Sequence, residues 1–312
     1  MQAMPAWRPL RTMAGMRHLL LILLLIGHSL LALPAQAEPP ALLSQTGLWA
    51  PGTQQPAPGV RPFTPQHVLW SDGADKQRWI RLPPGTRVDA RQPDAWQFPV
   101  GTRLWKEFRH GGVAVETRFM ERTARGWAYA SYRWRPDGRD AERVRPAGET
   151  VALAVAPGGR YDFPSTGDCL ACHADARSPV LGFSALQLGP QLPAFMQAGL
   201  IAHAPARWRT APPSVPGATA VERAARGYLH ANCAHCHHST GVPRPLRLAL
   251  DVERPAPPAP HLDEVLRRMG TRNPYVQMPP LGTRHIDPAG LALLRAWANE
   301  RAMARDGSSP PR

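Results

Sequence analysis

Two periodicities divide the chain. From about residue 66 to 155 apolar and polar positions mostly alternate. In "VAVETRF", Val113, Val115, Thr117 and Phe119 share one face. In "WAYASYRW", Trp127 and Tyr129 alternate with small residues, and Tyr132 and Trp134 continue the stretch. "GTRLWKEF" lies just upstream, and "HGG" at 110–112 predicts a hairpin turn between it and the "VAVETRF" run. The pattern predicts an antiparallel β region of four to seven strands. Past "APPSVPG" (211–217) the period becomes 3.6. Val221, Ala225, Tyr228 and Leu229 fall on one helical face, as do Leu262, Val265, Leu266 and Met269. A last helix opens at Asp287-Pro288, a capping residue followed by proline in the first turn, and carries Leu291, Leu294 and Ala298 beside Leu293 and Trp297. The predicted fold class is α+β, with an N-terminal antiparallel β domain followed by an all-α C-terminal domain. Residues 38–65, rich in proline and glycine, read as a linker. The expected divisions are then a β domain at 66–175, a connecting segment at 176–217, a helical domain at 218–304 and a tail at 305–312.

The N-terminus has a different logic. Arg8, Arg11 and Arg17 precede the apolar run "LLLILLLIGHSLLAL" (19–33), and "PAQAE" offers Ala35-x-Ala37 as a small-residue cleavage site. That is the pattern of a secretory signal peptide over 1–37, cleaved near Ala37. The run is shorter than the roughly 20 residues a membrane span requires. The expected location of the mature chain is the periplasm. Formal charge is +14, and three of the positive charges belong to the signal segment. Lys76 and Lys106 are the only lysines, so the basic balance rests on arginine and reads as the codon bias of a GC-rich genome. No basic helix or aromatic-basic motif accompanies the charge, which excludes a nucleic-acid reading.

The four cysteines carry the chemistry. "DCLACHAD" (168–175) and "HANCAHCHHS" (230–239) share Cys-x-x-Cys-His, in Cys169/Cys172/His173 and Cys233/Cys236/His237. Zinc, a redox dithiol and haem compete for such a motif. Haem c attachment needs two thiols, spaced to meet the two vinyl groups along one porphyrin edge. It also needs a histidine directly after the second thiol to reach the iron. Zinc has no need of histidine at that position, and about 60 residues between the pairs is long against the 15–20 of zinc ribbons. A thioredoxin-like dithiol wants a βαβ context that neither motif has. The expectation is two covalently attached haem c groups. Iron ligands are then His173, His237 and, on the loop "YVQMPPLGT", Met278, a thioether braced by Pro279 and Pro280. Met269 reads as core, and His230, His235 and His238 read as mostly spare, in solvent or supporting places, with ligation by one of them left open. For the first site "FMQAGLIAH" offers Met196 and His203, neither with a supporting context.

With these residues in hand, the segment from about 219 to 303 resembles the class I cytochrome c domain. The likeness lies in "VERAARGYLHAN", the attachment motif, the Met-Pro-Pro loop and "LALLRAWANE". It implies a crossing of first and last helices at Gly227 and Trp297, and a proline carbonyl, Pro243, orienting the proximal imidazole. A wider likeness rests on "LWSDGADKQRWIRLP", "WQFPVGTRLWKEF", "ETRFMERTARGWAYASYRW", "LGFSALQL", "YLHANCAHCH" and "QMPPLGT". These pieces resemble a family of secreted bacterial di-haem c-type cytochromes. That resemblance implies electron transfer with a periplasmic redox protein and suggests a quinoprotein dehydrogenase as the partner. The β region is more weakly similar to the β-sheet cytochromes of the cytochrome c prime-beta type, in which the iron often lacks a second protein ligand. That likeness implies the alternative, a haem enzyme or small-gas sensor acting on nitric oxide, hydroxylamine or peroxide at an open first haem. Lys106 falls in the strand that carries a cross-linking lysine in some members of that group. Its plain reading is a lysine leaning off a strand edge.

Overall fold

Ten strands form in the computed structural model, which describes residues 38–93, 95–239, 248–251, 259–305 and 307. They are β1 (Arg61–Pro62), β2 (Asp75–Arg81), β3 (Val88–Asp89), β4 (Arg103–His110), β5 (Val113–Thr123), β6 (Gly126–Trp134), β7 (Ala141–Arg143), β8 (Glu149–Ala152), β9 (Arg160–Phe163) and β10 (Ile201–Ala202). Six build one antiparallel sheet in the order β1-β2-β4-β5-β6-β7. The predicted turn at 110–112 joins β4 to β5. The expected signal segment, Pro243 and most of the 305–312 tail lie outside the described residues.

Alternation sorts the side chains onto two faces. Trp79, Trp105, Phe119 and Tyr132 point one way, and Leu43, Leu48 and Val60 close over them. Trp105 Nε1 donates to Thr46 Oγ1 at 2.8 Å, and the Tyr132 hydroxyl donates to the Pro40 carbonyl at 2.8 Å. Residues 39–60, expected to be linker, therefore cover one face of the sheet. Their prolines and glycines shape turns, yet Leu43 and Leu48 between them are fully buried. The opposite face sends Ile80, Leu104 and Met120 into a second core with Trp96, Phe183, Leu188 and Leu192. Much of that core comes from the expected connecting segment, through short helices α2 (Ala185–Leu188) and α3 (Leu192–Gln197), which follow α1 (Thr166–His173). With both faces covered at the centre of the sheet, strict alternation of burial fails in β5. Val115, Glu116, Thr117, Phe119 and Met120 are all buried.

Among the described residues three helices follow: α4 (Ala220–Asn232), α5 (Ala259–Met269) and α6 (Pro288–Arg305). Thr219 caps α4 by accepting from Glu222 N at 2.9 Å, and Asp287 caps α6 by accepting from Gly290 N at 2.9 Å. The predicted apolar faces meet in one core of Ala225, Leu229, Leu262, Val265, Leu294 and Trp297. From Pro39 onward the chain forms one compact unit. Segment 67–72 is bound to the helices: Trp70 N donates to Asn232 Oδ1 at 2.7 Å, and Trp70 Nε1 to the His285 carbonyl at 3.2 Å. The small-against-aromatic contact between α4 and α6 is not Gly227 with Trp297. Gly290 of α6 takes the Tyr228 ring of α4, whereas Gly227 accommodates His67 from the other side.

A Cβ at Gly290 would overlap the Tyr228 ring. Gly290→Ala should destabilise the chain by about 1–3 kcal/mol, the usual range for overpacking. Denaturant unfolding should show a lower midpoint at unchanged slope.

Candidate functional site

Helix α1 begins in a reciprocal cap. Ser165 Oγ accepts from Asp168 N at 3.0 Å, and Asp168 Oδ2 accepts from Ser165 N at 2.9 Å. On this helix Cys169, Cys172 and His173 stand three and four residues apart and so share a face. All three are half-buried. His173 Nδ1 lies 2.6 Å from the Pro179 carbonyl. A carbonyl only accepts, so Nδ1 carries the proton and Nε2 keeps its lone pair. Burial lowers the His173 pKa to about 4, so the ring is neutral at physiological pH. Tyr129 on β6 packs against it with ring centroids 5.3 Å apart.

The second motif follows α4 directly. Cys236 N and His237 N both donate to the Cys233 carbonyl, at 3.1 and 2.9 Å, folding the motif into a tight turn. Burial pushes the Cys233 thiol up to about 12. His237 Nδ1 is buried without a hydrogen-bond partner among the described residues. A proline carbonyl of the kind expected from Pro243, which lies outside the described residues, is found at the first motif, from Pro179. Proline six residues after His173 was the signal that sequence reasoning passed over.

The two motifs abut. The Cys172 thiol, a ring nitrogen of His235 and the Cys236 thiol lie within 4.8 Å of one another. A hydrogen bond from Cys236 and the nearby His235 hold the Cys172 thiol down to about 4, and the same contact raises Cys236. His235 is therefore not a spare histidine. His238 is buried, with Nε2 2.9 Å from the Asp175 carbonyl. Such a trio offers donor atoms to a soft metal ion.

A cavity of about 1260 Å³ opens beside both motifs. Cys169, Cys172, His173, Cys233, Cys236, His237 and Met278 all border it, so the seven residues marked by sequence come to one place. Met278 sits on the loop between α5 and α6, where its N–H donates to the Arg268 carbonyl at 3.1 Å. Met269 packs in the helical core and also reaches the cavity wall. Met196 and His203 do not border it. Met196 is buried in the core beside Phe195, and His203 pairs at 3.1 Å with Asp89 on the surface. No family model, curated protein or solved structure matches this chain.

The far wall is the inner face of the sheet, and Lys106 belongs to it. Lys106 is not at a strand edge, because β4 is paired on both sides. Burial, then the neighbouring Arg78, Arg118 and Lys76, pull its pKa well below the ordinary lysine value. Beside it Glu116 is fully buried. Its carboxylate accepts from Arg118 at 2.9 and 3.0 Å, from the Tyr161 hydroxyl at 2.7 Å and from Ser131 Oγ. Periodicity gives no sign of this network, since it joins four residues from three strands.

Tyr161→Phe should cost about 1.5–3 kcal/mol, the range for a hydrogen bond to a charged group. Glu116→Gln should cost at least as much, of order 3 kcal/mol, because it removes the charge that three donors converge on in a fully buried place. Denaturant midpoints of the two variants check the order.

Proposed function

We propose that this chain is an exported di-haem c-type cytochrome that passes electrons to or from a periplasmic redox protein. The observation that carries the reading is the meeting of both Cys-x-x-Cys-His motifs and Met278 around one cavity. Its volume of about 1260 Å³ exceeds the roughly 300–1,000 Å³ typical of a site for one small ligand. Haem, when bound, supplies one-electron chemistry at its iron. The chain's own part is to hold and tune it. Cys169 with Cys172, and Cys233 with Cys236, would hold one haem each as thioethers. His173 and His237 would supply proximal nitrogens. The Pro179 carbonyl fixes the His173 tautomer that leaves Nε2 available, and such contacts also raise ligand basicity. Met278 would supply a thioether ligand to the iron held at the second motif, and thioether ligation favours the reduced state.

Zinc fits less well. The Cys172, His235 and Cys236 trio takes one thiol from each motif and supplies three donors, where a structural zinc site has four. It leaves Cys169, Cys233, His173 and His237 without a role. A quinoprotein dehydrogenase is the partner suggested by resemblance alone. Among the described residues no helix is long and apolar enough to cross a membrane.

A second reading has its own observation. Met196 and His203, the residues considered for the far side of the first iron, lie away from the cavity. That favours an open first iron and, with it, a haem enzyme or small-gas sensor for nitric oxide, hydroxylamine or peroxide.

Mass spectrometry of the periplasmic protein should give the chain plus two haems. A bare chain, or a chain plus zinc, overturns the proposal. Met278→Ala should abolish the thioether–iron charge-transfer band. Met269→Ala should cost about 2–5 kcal/mol of packing and leave that band in place. The reduced protein separates the two readings. Uptake of about one carbon monoxide per chain selects the open first iron, and two inert low-spin irons select the pure carrier.

A further inference from the structure

Arg78 is 8% exposed and borders the cavity, yet among the described residues its guanidinium has no ion pair and no hydrogen bond. Its register partner across β2 and β4 is Lys106, whose ammonium has neither as well and only lies 4.8 Å from the Phe108 ring centroid. Register partners point to the same face of a sheet. Two basic side chains thus stand side by side on the cavity wall, one of them a fixed cation.

Burying an arginine without a counter-charge is costly, and arginine cannot shed its proton at physiological pH. Burial lowers Arg78 only to about 10, so it stays charged. The acidic groups nearby are taken. Glu116 is saturated by Arg118, Tyr161 and Ser131. Asp162 is held by Arg284 and by Thr150, Asp168 by Ser165, and Asp287 by the N-terminus of α6. Lys76, the third basic group on this face, donates to the Leu69 carbonyl at 2.9 Å. Among the described residues no carboxylate pairs with Arg78 or Lys106, and the cavity they border has room for one from outside.

We propose that Arg78 and Lys106 form a binding site for a carboxylate inside the cavity. The planar guanidinium fork matches a carboxylate through two parallel hydrogen bonds, and the ammonium adds a point charge beside it. Two sources supply that chemistry: a propionate of a haem bound at the first motif, or a free small carboxylate. The site itself stands on the two basic groups and the cavity and does not require haem.

The test uses the protein as purified, with acetate as probe. Calorimetry should show one saturable acetate site if the carboxylate is free. Affinity should fall at least tenfold in Arg78→Leu, less in Arg78→Lys, and stay unchanged in Arg61→Leu, a variant on the exposed first strand. If a propionate fills the site, acetate finds none. The infrared carboxylate band of porphyrin carrying ¹³C at its propionates should then shift in Arg78→Leu and not in Arg61→Leu. Lys106→Met repeats either arm if Arg78→Leu does not fold. Absence of both an Arg78-dependent acetate site and an Arg78-dependent propionate band overturns the proposal. A chain purified without haem would instead sink the cytochrome reading, and the acetate arm would still decide this one.

Discussion

The side chain of Asn232 is the joint on which the site depends. It ends α4 and immediately precedes Cys233. Its carboxamide accepts from Trp70 N at 2.7 Å and donates to the Val68 carbonyl at 3.1 Å, pairing with the backbone of the loop that leads into β2. An amide side chain can satisfy a donor and an acceptor of an otherwise unpaired loop at once. Here that loop belongs to the sheet half and the asparagine to the helical half. With the two tied at this residue, and with Arg177 bonded to Ser239 and His238 to the Asp175 carbonyl, the second cysteine motif lies beside the first, about 60 residues upstream. The wall opposite, made of sheet side chains, encloses the volume between them.

Much of this was legible in the chain. The alternation from 103 to 134 and the Gly111-Gly112 turn mark the three longest strands, and Asp287-Pro288 marks the start of the last helix. Such signals are local, and local rules read them. What stayed hidden depends on pairing at a distance. Leu43 and Leu48 sit among prolines and glycines with no period, and only the sheet face they cover explains their burial. Gly227 and Gly290 are equivalent as letters, and the helix crossing decides which one meets the aromatic ring. Lys106 has a lysine's ordinary preference for water, and its burial follows from strand order alone.

The candidate site divides the same way. Spacing within each motif foretells which cysteines and histidines act together. It says nothing of the contact between the motifs, where His235 changes from a bystander to a neighbour of two thiols. Pro179 was in plain view six residues past His173, but any proline in a turn-rich stretch looks alike until its carbonyl is seen on an imidazole. The buried Glu116 network and the unpaired Arg78 are likewise properties of three dimensions.

The outer strands of the large sheet have a consequence beyond the site. β1 is two residues long and includes Pro62, which cannot donate to a neighbouring strand, and β7 is three residues long. Leu42 forms a further bridge to Glu142 and occupies part of that margin. An exposed long edge is a template for pairing with another molecule's strand, and short or proline-bearing edges remove it. The segment that shields the aromatic face therefore also blocks the margin beside β7 against pairing with another molecule's strand.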